Sequence, residues 1–481
     1  MGEVDRIVSH AQGLTSESLA RLCEWLSIPS VGTDPVYRDD TRRAGQWAVD
    51  QLKEAGVDAC LRETGTPEEP GHPIVWAQHD GDPEYDGPHI LFYGHYDVQP
   101  PDPLELWESE PFTPVVREAG DGKRERIVAR GACDDKGQVA TFLEALRAWK
   151  ETHGSVPVRM TILIEGEEES GSANLERFIR DNESELKKAD VCVISDTGML
   201  GPEQPAITYG VRGLAYTQIT LHAADQDLHS GSWGGRCPNP ITELCKVLAQ
   251  LWDGDRRVTI PGFYDGVGTL SEEIRSEWEK LGFDQIAALR GIGLGPEADV
   301  GETGFSALER EWARPTCELN GIWGGYTGAG AKTVIPSHAS AKVSFRLVDD
   351  QDPALITSSF EQWLNERTPP GCRWEFKDLS GGAPGTVATD SPYLQAARRA
   401  LSDAGGGKQA ALIKTGGSIP VVGFFKSMLG IDSVMMGFGL EDDRVHSPNE
   451  KFDVACFTLG IESHIRMIDE LVRLGSRAVG A

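Results

Sequence analysis

The sequence predicts an α/β protein: a doubly wound, mostly parallel sheet domain interrupted by a separate α+β domain. Three observations carry this. Between residues 73 and 200, short apolar runs alternate with segments of helical periodicity, as in βαβ units. The runs Ile90–Tyr93, Met160–Ile164 and Val191–Ile194 are short, mostly apolar and punctuated by Gly, as strands buried on both faces are. Past Gly210 the pattern changes to apolar/polar alternation, which suits a strand with one wetted face.

The elements follow in order. Residues 14–27 carry Leu19, Leu22 and Leu26 at helical spacing. The clearest helix runs from Lys136 to Trp149, where Val139, Phe142, Leu143 and Leu146 form one stripe. Beyond Gly210, Ala215, Thr217, Ile219 and Leu221 alternate with Tyr216, Gln218, Thr220 and His222. Val343, Phe345 and Leu347 alternate with Lys342, Ser344 and Arg346 in the same way, and a helical stretch with Ile241, Leu244, Val247, Leu248 and Leu251 lies between. The Gly-rich run Ser380–Gly385 marks a return to the first domain. A helix over Ser391–Asp403, a strand at Val434–Phe438 and a final helix follow. The expected boundaries are 1–208 and 386–481 for the two pieces of the sheet domain and 209–385 for the inserted one. At 481 residues, division into at least two domains is also what length alone predicts.

Composition excludes several classes. The formal charge of −29 lacks the basic footprint a nucleic-acid partner needs. Nine cysteines, an odd number with no C-x-x-C pair, read as reduced thiols in a cytoplasmic protein. No apolar run approaches the ~18 residues that span a membrane, and the first residues carry no basic and apolar signal. No G-x-x-x-x-G-K-[ST], no G-x-G-x-x-G after a strand and no G-x-S-x-G elbow is present.

In open α/β sheets ligands sit in the crevice outside the carboxyl ends of the strands, and metal-binding residue types fall there. Ile90–Tyr93 leads into Gly94-His95-Tyr96-Asp97, and Ile127–Ala129 into a turn containing Asp134 and Asp135. Met160–Ile164 leads into Glu165-Gly166-Glu167-Glu168-Glu169, Val191–Ile194 into Ser195-Asp196, and Val434–Phe438 precedes Val445-His446-Ser447-Pro448. Imidazole and carboxylate are the ligands of hard or borderline divalent cations. His95 with Asp97 suggests a ligand and the carboxylate that orients its other ring N–H; alone, the pair also fits a surface hydrogen bond. Asp134 and Asp135 repel each other unless a cation neutralises them, or one of them caps the following helix. On extended backbone, neighbours among Glu167, Glu168 and Glu169 point to opposite sides, so one can bind metal while the next faces substrate as a general base. A glutamate-rich surface loop is the alternative. Asp196 and His446 are each unremarkable alone. Together the five strand ends point to one cleft with two bound cations.

These segments, in this order over almost the whole chain, resemble the motif series of the dinuclear metallopeptidases, a family of carnosinases, cytosolic non-specific dipeptidases and acetylornithine deacetylases. Asp227-Leu228-His229-Ser230-Gly231, Arg314-Pro315-Thr316, Gly330–Pro336, Phe345–Val348 and Gly416–Pro420 favour the dipeptidase branch. The resemblance implies that Asp134 bridges two metals, that His95 and Asp196 complete one site, and that Glu169 and His446 complete the other. It implies Glu168 as general base, Asp97 as the support of His95, and a cis bond between Asp134 and Asp135. Arg346 would grip the substrate's terminal carboxylate, His229 would reach the scissile carbonyl across subunits, and Thr333 and Ser418 would contact substrate. The cofactor would be two divalent ions per subunit, Zn or Mn with Co as a further option. The inserted domain would act as a lid and hold a homodimer together. The implied reaction is hydrolysis of dipeptides or short peptides. An N-acyl-amino-acid deacylase using the same site, and a non-catalytic metal-binding protein on the same scaffold, are the alternatives; Glu168, which binds no metal in this scheme, argues against the last.

Overall fold

The computed structural model describes residues 2–120, 122–417 and 419–478. The chain forms two compact units: residues 1–209, 387–413 and 425–481 make the first, and residues 210–386 with 414–424 the second.

The strands of the first unit are β1 (Asp58–Arg62), β2 (Ile74–Asp80), β3 (Ile90–His95), β4 (Val115–Arg117), β5 (Arg126–Val128), β6 (Arg159–Glu165), β7 (Val191–Ile194), β8 (Ala206–Val211), and three later ones, Ala411–Thr415, which pairs with β8, Asp432–Met435 and Lys451–Asp453. The central sheet runs in the order β1, β2, β6, β3, β7, Asp432–Met435, β8. Its middle is parallel: β3 pairs in parallel with β6 and β7, and β7 with Asp432–Met435. Antiparallel strands flank it, β2 and β1 on one side and β8 on the other. Parallel neighbours need crossovers, and the helix Lys136–His153 supplies the one between β3 and β6. Every residue of β3 and β7 is buried, which explains why those runs are apolar throughout.

The Lys136–His153 helix ends at Gly154, whose φ of 99° suits a residue without Cβ. Its Phe142 stacks on Phe92 of β3 with ring centroids 3.8 Å apart, and His464 of the last helix, Val454–Ala478, meets both rings edge-on. The helix expected over residues 14–27 is Thr15–Leu26, burying Leu22, Trp25 and Leu26.

One expected strand lies elsewhere. The apolar run Ile127–Ala129 belongs to β5, which is not in the central sheet but pairs antiparallel with β4 and with Lys451–Asp453. Only three residues long, it follows the charged segment Lys123-Arg124-Glu125-Arg126, whose side chains are exposed or half-buried. Ile127, Val128 and Ala129 are nonetheless buried, so the apolar triplet reads the same in this small sheet as it would in the central one.

In the second unit an antiparallel sheet runs in the order Thr316–Gly324, His338–Leu347, Gly213–His222, Arg373–Gly382. Its buried face carries Ala215, Ile219, Leu221, Val343, Phe345 and Leu347, packed with Leu244, Val247, Ile356, Phe360 and Trp363. Those partners lie on the helices Pro240–Leu248 and Pro353–Asn365. Each starts with Pro in its first turn, and Asn239 or Asp352 caps it by accepting a backbone N–H. No described helix is long and apolar enough to cross a membrane.

Candidate metal centre

Strand pairing places the predicted side chains at one edge of the first unit. β6, β3 and β7 are adjacent and parallel, so their carboxyl ends share an edge: His95 stands opposite Glu165, and Tyr93 opposite Ile194, two residues before Asp196. The Asp134–Asp135 turn precedes the Lys136–His153 helix, and two glycines let that helix start close by. A Cβ at Gly94 would lie 2.5 Å from Val139, and one at Gly137 would lie 1.8 Å from the Ala132 carbonyl oxygen. The peptide bond between Asp134 and Asp135 is cis.

Asp134 is the hub. Its Oδ1 lies 3.1 Å from His95 Nε2, and its Oδ2 lies 2.9 Å from His446 Nε2. The same His95 nitrogen is 3.8 Å from Asp196 Oδ2, and the same His446 nitrogen is 3.2 Å from Glu169 Oε2. Two groups of donor atoms compact enough to hold an ion result: His95, Asp135 and Asp196, and Asp134, Glu169 and His446. Asp135, given no role by sequence, thus enters the first group. It is fully buried, its Oδ2 accepts the His95 backbone N–H at 3.2 Å, and its Oδ1 has no hydrogen-bond partner.

The donor set fits divalent cations. Burial, with repulsion from Asp134 next, raises Asp196 well above the ordinary carboxylate range. Asp135 is likewise raised, first by burial and then by Asp196. Hydrogen bonds to Asp134 and Glu169 push His446 up to about 10. Burial works against a charged His95, yet its bonds to Asp134 and Asp97 raise it well above its usual value. Buried carboxylates this crowded need positive charge among them, and protons on the histidines supply it where cations do not. The all-N/O donor set matches hard or borderline divalent cations.

Asp97 sits beneath both groups and is wholly buried. His95 Nδ1 lies 3.1 Å from the Asp97 carbonyl oxygen and 3.5 Å from its Oδ1. Its carboxylate also accepts the backbone N–H of Glu168 and of Glu169, at 3.2 and 3.1 Å. These bonds correct one expectation: Glu168–Ser170 is a 3-10 turn, not extended backbone, because Asp97 draws two successive N–H groups toward one carboxylate. Glu168 belongs to neither donor group. Burial, with further repulsion from Glu169 and Asp134 against the pull of His95, raises its carboxyl to about 7.

Four supporting residues were not found from sequence. Glu450, fully buried, accepts from Arg130 Nη1 at 2.7 Å and from the backbone N–H groups of Gly131, Cys133 and Asp134 at 2.9, 2.9 and 3.0 Å. Gln99 donates to Glu169 Oε2 at 2.7 Å. The Glu167 carboxylate accepts from the backbone of His72 and from Asn174, so it braces the turn from behind. His464 meets Ser195 Oγ at 3.0 Å, next to Asp196. Their signal is weak because most bind backbone groups or partners far away in sequence, even where they sit in or beside a motif, as Glu167, Gln99 and Glu450 do.

The remaining predicted residues lie in the second unit. His229 and Thr333 come close together: His229 pairs with Val334, and Thr333 accepts the Ser230 N–H at 3.0 Å. The exposed His229 turns its Nδ1 to the Gly231 N–H at 3.0 Å. Arg346 is half-buried on His338–Leu347, opposite Leu214 and Thr316. Ser418 lies outside the described residues.

Comparison with known proteins bears on this geometry. The signature of peptidase family M20/M25/M40 matches residues 91–470. The Cys-Gly metallodipeptidase DUG1 of Candida albicans is 33% identical over 472 residues, covering 93% of this chain and 94% of that protein. The Beta-Ala-His dipeptidase of Rattus norvegicus is 29% identical over 487 residues, covering 99% and 97%. The solved structure of the di-peptidase Dug1p from Saccharomyces cerevisiae superposes with a TM-score of 0.77 at 27% identity, covering 98% and 99% of the two chains.

Proposed function

The chain belongs to peptidase family M20/M25/M40, and from that membership we propose that it hydrolyses the peptide bond of dipeptides, with Glu168 as general base. Its relatives are a Cys-Gly metallodipeptidase and a Beta-Ala-His dipeptidase, and the substrate is read here as a small peptide of that class. The observation that carries the reading is Asp134, whose two oxygens each face a different histidine, His95 and His446. That is the arrangement a carboxylate shared between two cations needs. Asp196 completes the first site in this proposal, and Glu169 the second. Zn or Mn, with Co as a further option, are the ions the donors suit.

Bound there, the cations supply Lewis-acid charge that polarises the scissile carbonyl and acidifies water. The chain's own groups do the rest. Asp97 fixes the His95 ring and the Glu168–Glu169 turn together. Glu168 takes the proton of the attacking water as the C–O bond forms, then gives it to the departing amine as the C–N bond breaks. His229 donates to the developing oxyanion. Arg346 holds the terminal carboxylate with its planar fork, and Thr333 and Ser418 contact the substrate. Residues 209–385 serve as an inserted lid that excludes water on closing and as the surface of a homodimer, through which His229 reaches its neighbour's site. The described cysteines stand free, in keeping with a reducing cytoplasmic setting.

The test pairs metal analysis of purified protein with a panel of Cys-Gly, β-Ala-His, Ala-Gly, tripeptides and N-acetyl amino acids under Zn, Mn and Co. Two ions per chain and turnover of dipeptides over N-acetyl amino acids are expected. Preference for N-acetyl amino acids would make the protein a deacylase, and one ion per chain would end the two-metal assignment.

A further inference from the structure

The small sheet that took β5 away from the centre carries a concentration of positive charge that no step above uses. A cavity of about 220 Å³ opens over β4, β5 and Lys451–Asp453. Six cations line it, Arg117, Lys123, Arg124, Arg126, Arg444 and Lys451, against three carboxylates. In a chain with 46 basic and 75 acidic residues, that local ratio is inverted.

Its internal pairing is incomplete. Arg117 is bound to Glu108, and Arg124 to Asp453. Lys451 contacts Asp442, Asp443 and Asp453 at 3.0, 2.5 and 3.1 Å. These contacts use up the three carboxylates of the lining. Among the described residues, Lys123, Arg126 and Arg444 have no carboxylate within 4.0 Å. In the register Arg126 stands between Arg117 of β4 and Asp453 of the last strand. Like charges directly opposite on antiparallel strands repel, and the carboxylates beside this pair, Glu108 and Asp453, are already bound to Arg117 and to Arg124 and Lys451. Among the described residues, the Arg126 side chain donates to the Arg124 carbonyl oxygen at 2.9 Å. Across the cavity, Arg444 is held at φ 57°, a left-handed conformation uncommon for a side chain of this kind.

We propose that this cavity is a binding site for a small phosphate-bearing anion, gripped by Arg126 and Arg444 with Lys123 at its mouth. Tetrahedral oxyanions with two charges suit a cavity lined by several guanidinium forks better than a single carboxylate does. The cavity has room for the phosphate and a short organic group. It is walled by Arg444 and Asn449, which bracket His446 in sequence, so a bound anion would brace the loop that carries that histidine.

The experiment is calorimetric titration of the metal-loaded full-length chain with inorganic phosphate and with glucose 6-phosphate, at constant ionic strength. Saturable binding of one anion per chain is expected, weakened at least about tenfold by Arg126→Gln and by Arg444→Gly. Glycine tolerates the backbone conformation at 444, so that variant carries the test if Arg126→Gln does not fold. Absence of saturable binding overturns the proposal. So does binding that both variants leave unchanged, since the anion would then sit elsewhere, the metal centre included.

Discussion

Asp97 Oδ2 accepts the backbone N–H of Glu169 at 3.1 Å. The residue that steadies His95 on one side of the centre therefore also fixes the donor that faces His446 on the other. The two halves share one strut.

Asp97→Asn breaks that strut, because an amide offers one acceptor where two N–H groups arrive. Retention of both ions should weaken together, by roughly 10–100-fold as for other residues that orient metal ligands. Dialysis against graded chelator followed by elemental analysis reads this. Loss of one ion while the other stays tight would show that the halves are independent.

Glu168→Ala should leave the metal content at two ions per chain and lower kcat by roughly 10²–10⁴-fold, the usual share of a positioned base. Dipeptide turnover near the unsubstituted rate would remove Glu168 from the mechanism.

Glu450→Ala strands the buried Arg130 guanidinium and three backbone N–H groups at once. Breaking a buried pair from one side costs about 3–5 kcal/mol, and the Gly131–Asp134 loop should loosen with it. Denaturant melts measure the first effect and chelator competition the second; unchanged metal retention in a folded variant would confine Glu450 to stability.

His464 gives a pH dependence. Burial lowers it from the usual 6.5 to about 3 in the folded chain, so the ring stays neutral where an unfolded chain would protonate it. Below about pH 6.5 the unfolded state binds one more proton. This group's contribution is therefore present in full above that pH and lost as pH falls, by up to ~1.4 kcal/mol per unit down to about 3. His464→Gln, which keeps a partner for Ser195, should flatten the acid limb of a denaturation series between pH 7 and 4.5. An unaltered slope would mean that the ring is charged when folded.

Much of this was legible in the residues. β3, β6 and β7 announced themselves because both faces are covered and their runs are almost wholly apolar, with Thr161 the one polar residue inside them. His95, Asp134, Glu169, Asp196 and His446 could be named because each follows an apolar run or sits in a recognisable motif. The place of β5 was not legible, since three buried apolar residues look alike in a central strand and in the middle of a small three-stranded sheet. Asp135, Glu167 and Glu450 were missed for a different reason. Their carboxylates answer backbone N–H groups, and a sequence does not display where its main-chain donors point.

Asp134 and Glu450 stand 316 residues apart in the chain yet share a hydrogen bond. During synthesis the loop that would cradle the ions leaves the ribosome long before the carboxylate that shapes it. A chain made only as far as that loop would thus hold its metals poorly, so peptidase activity should switch on only once Glu450 has been delivered and has threaded home.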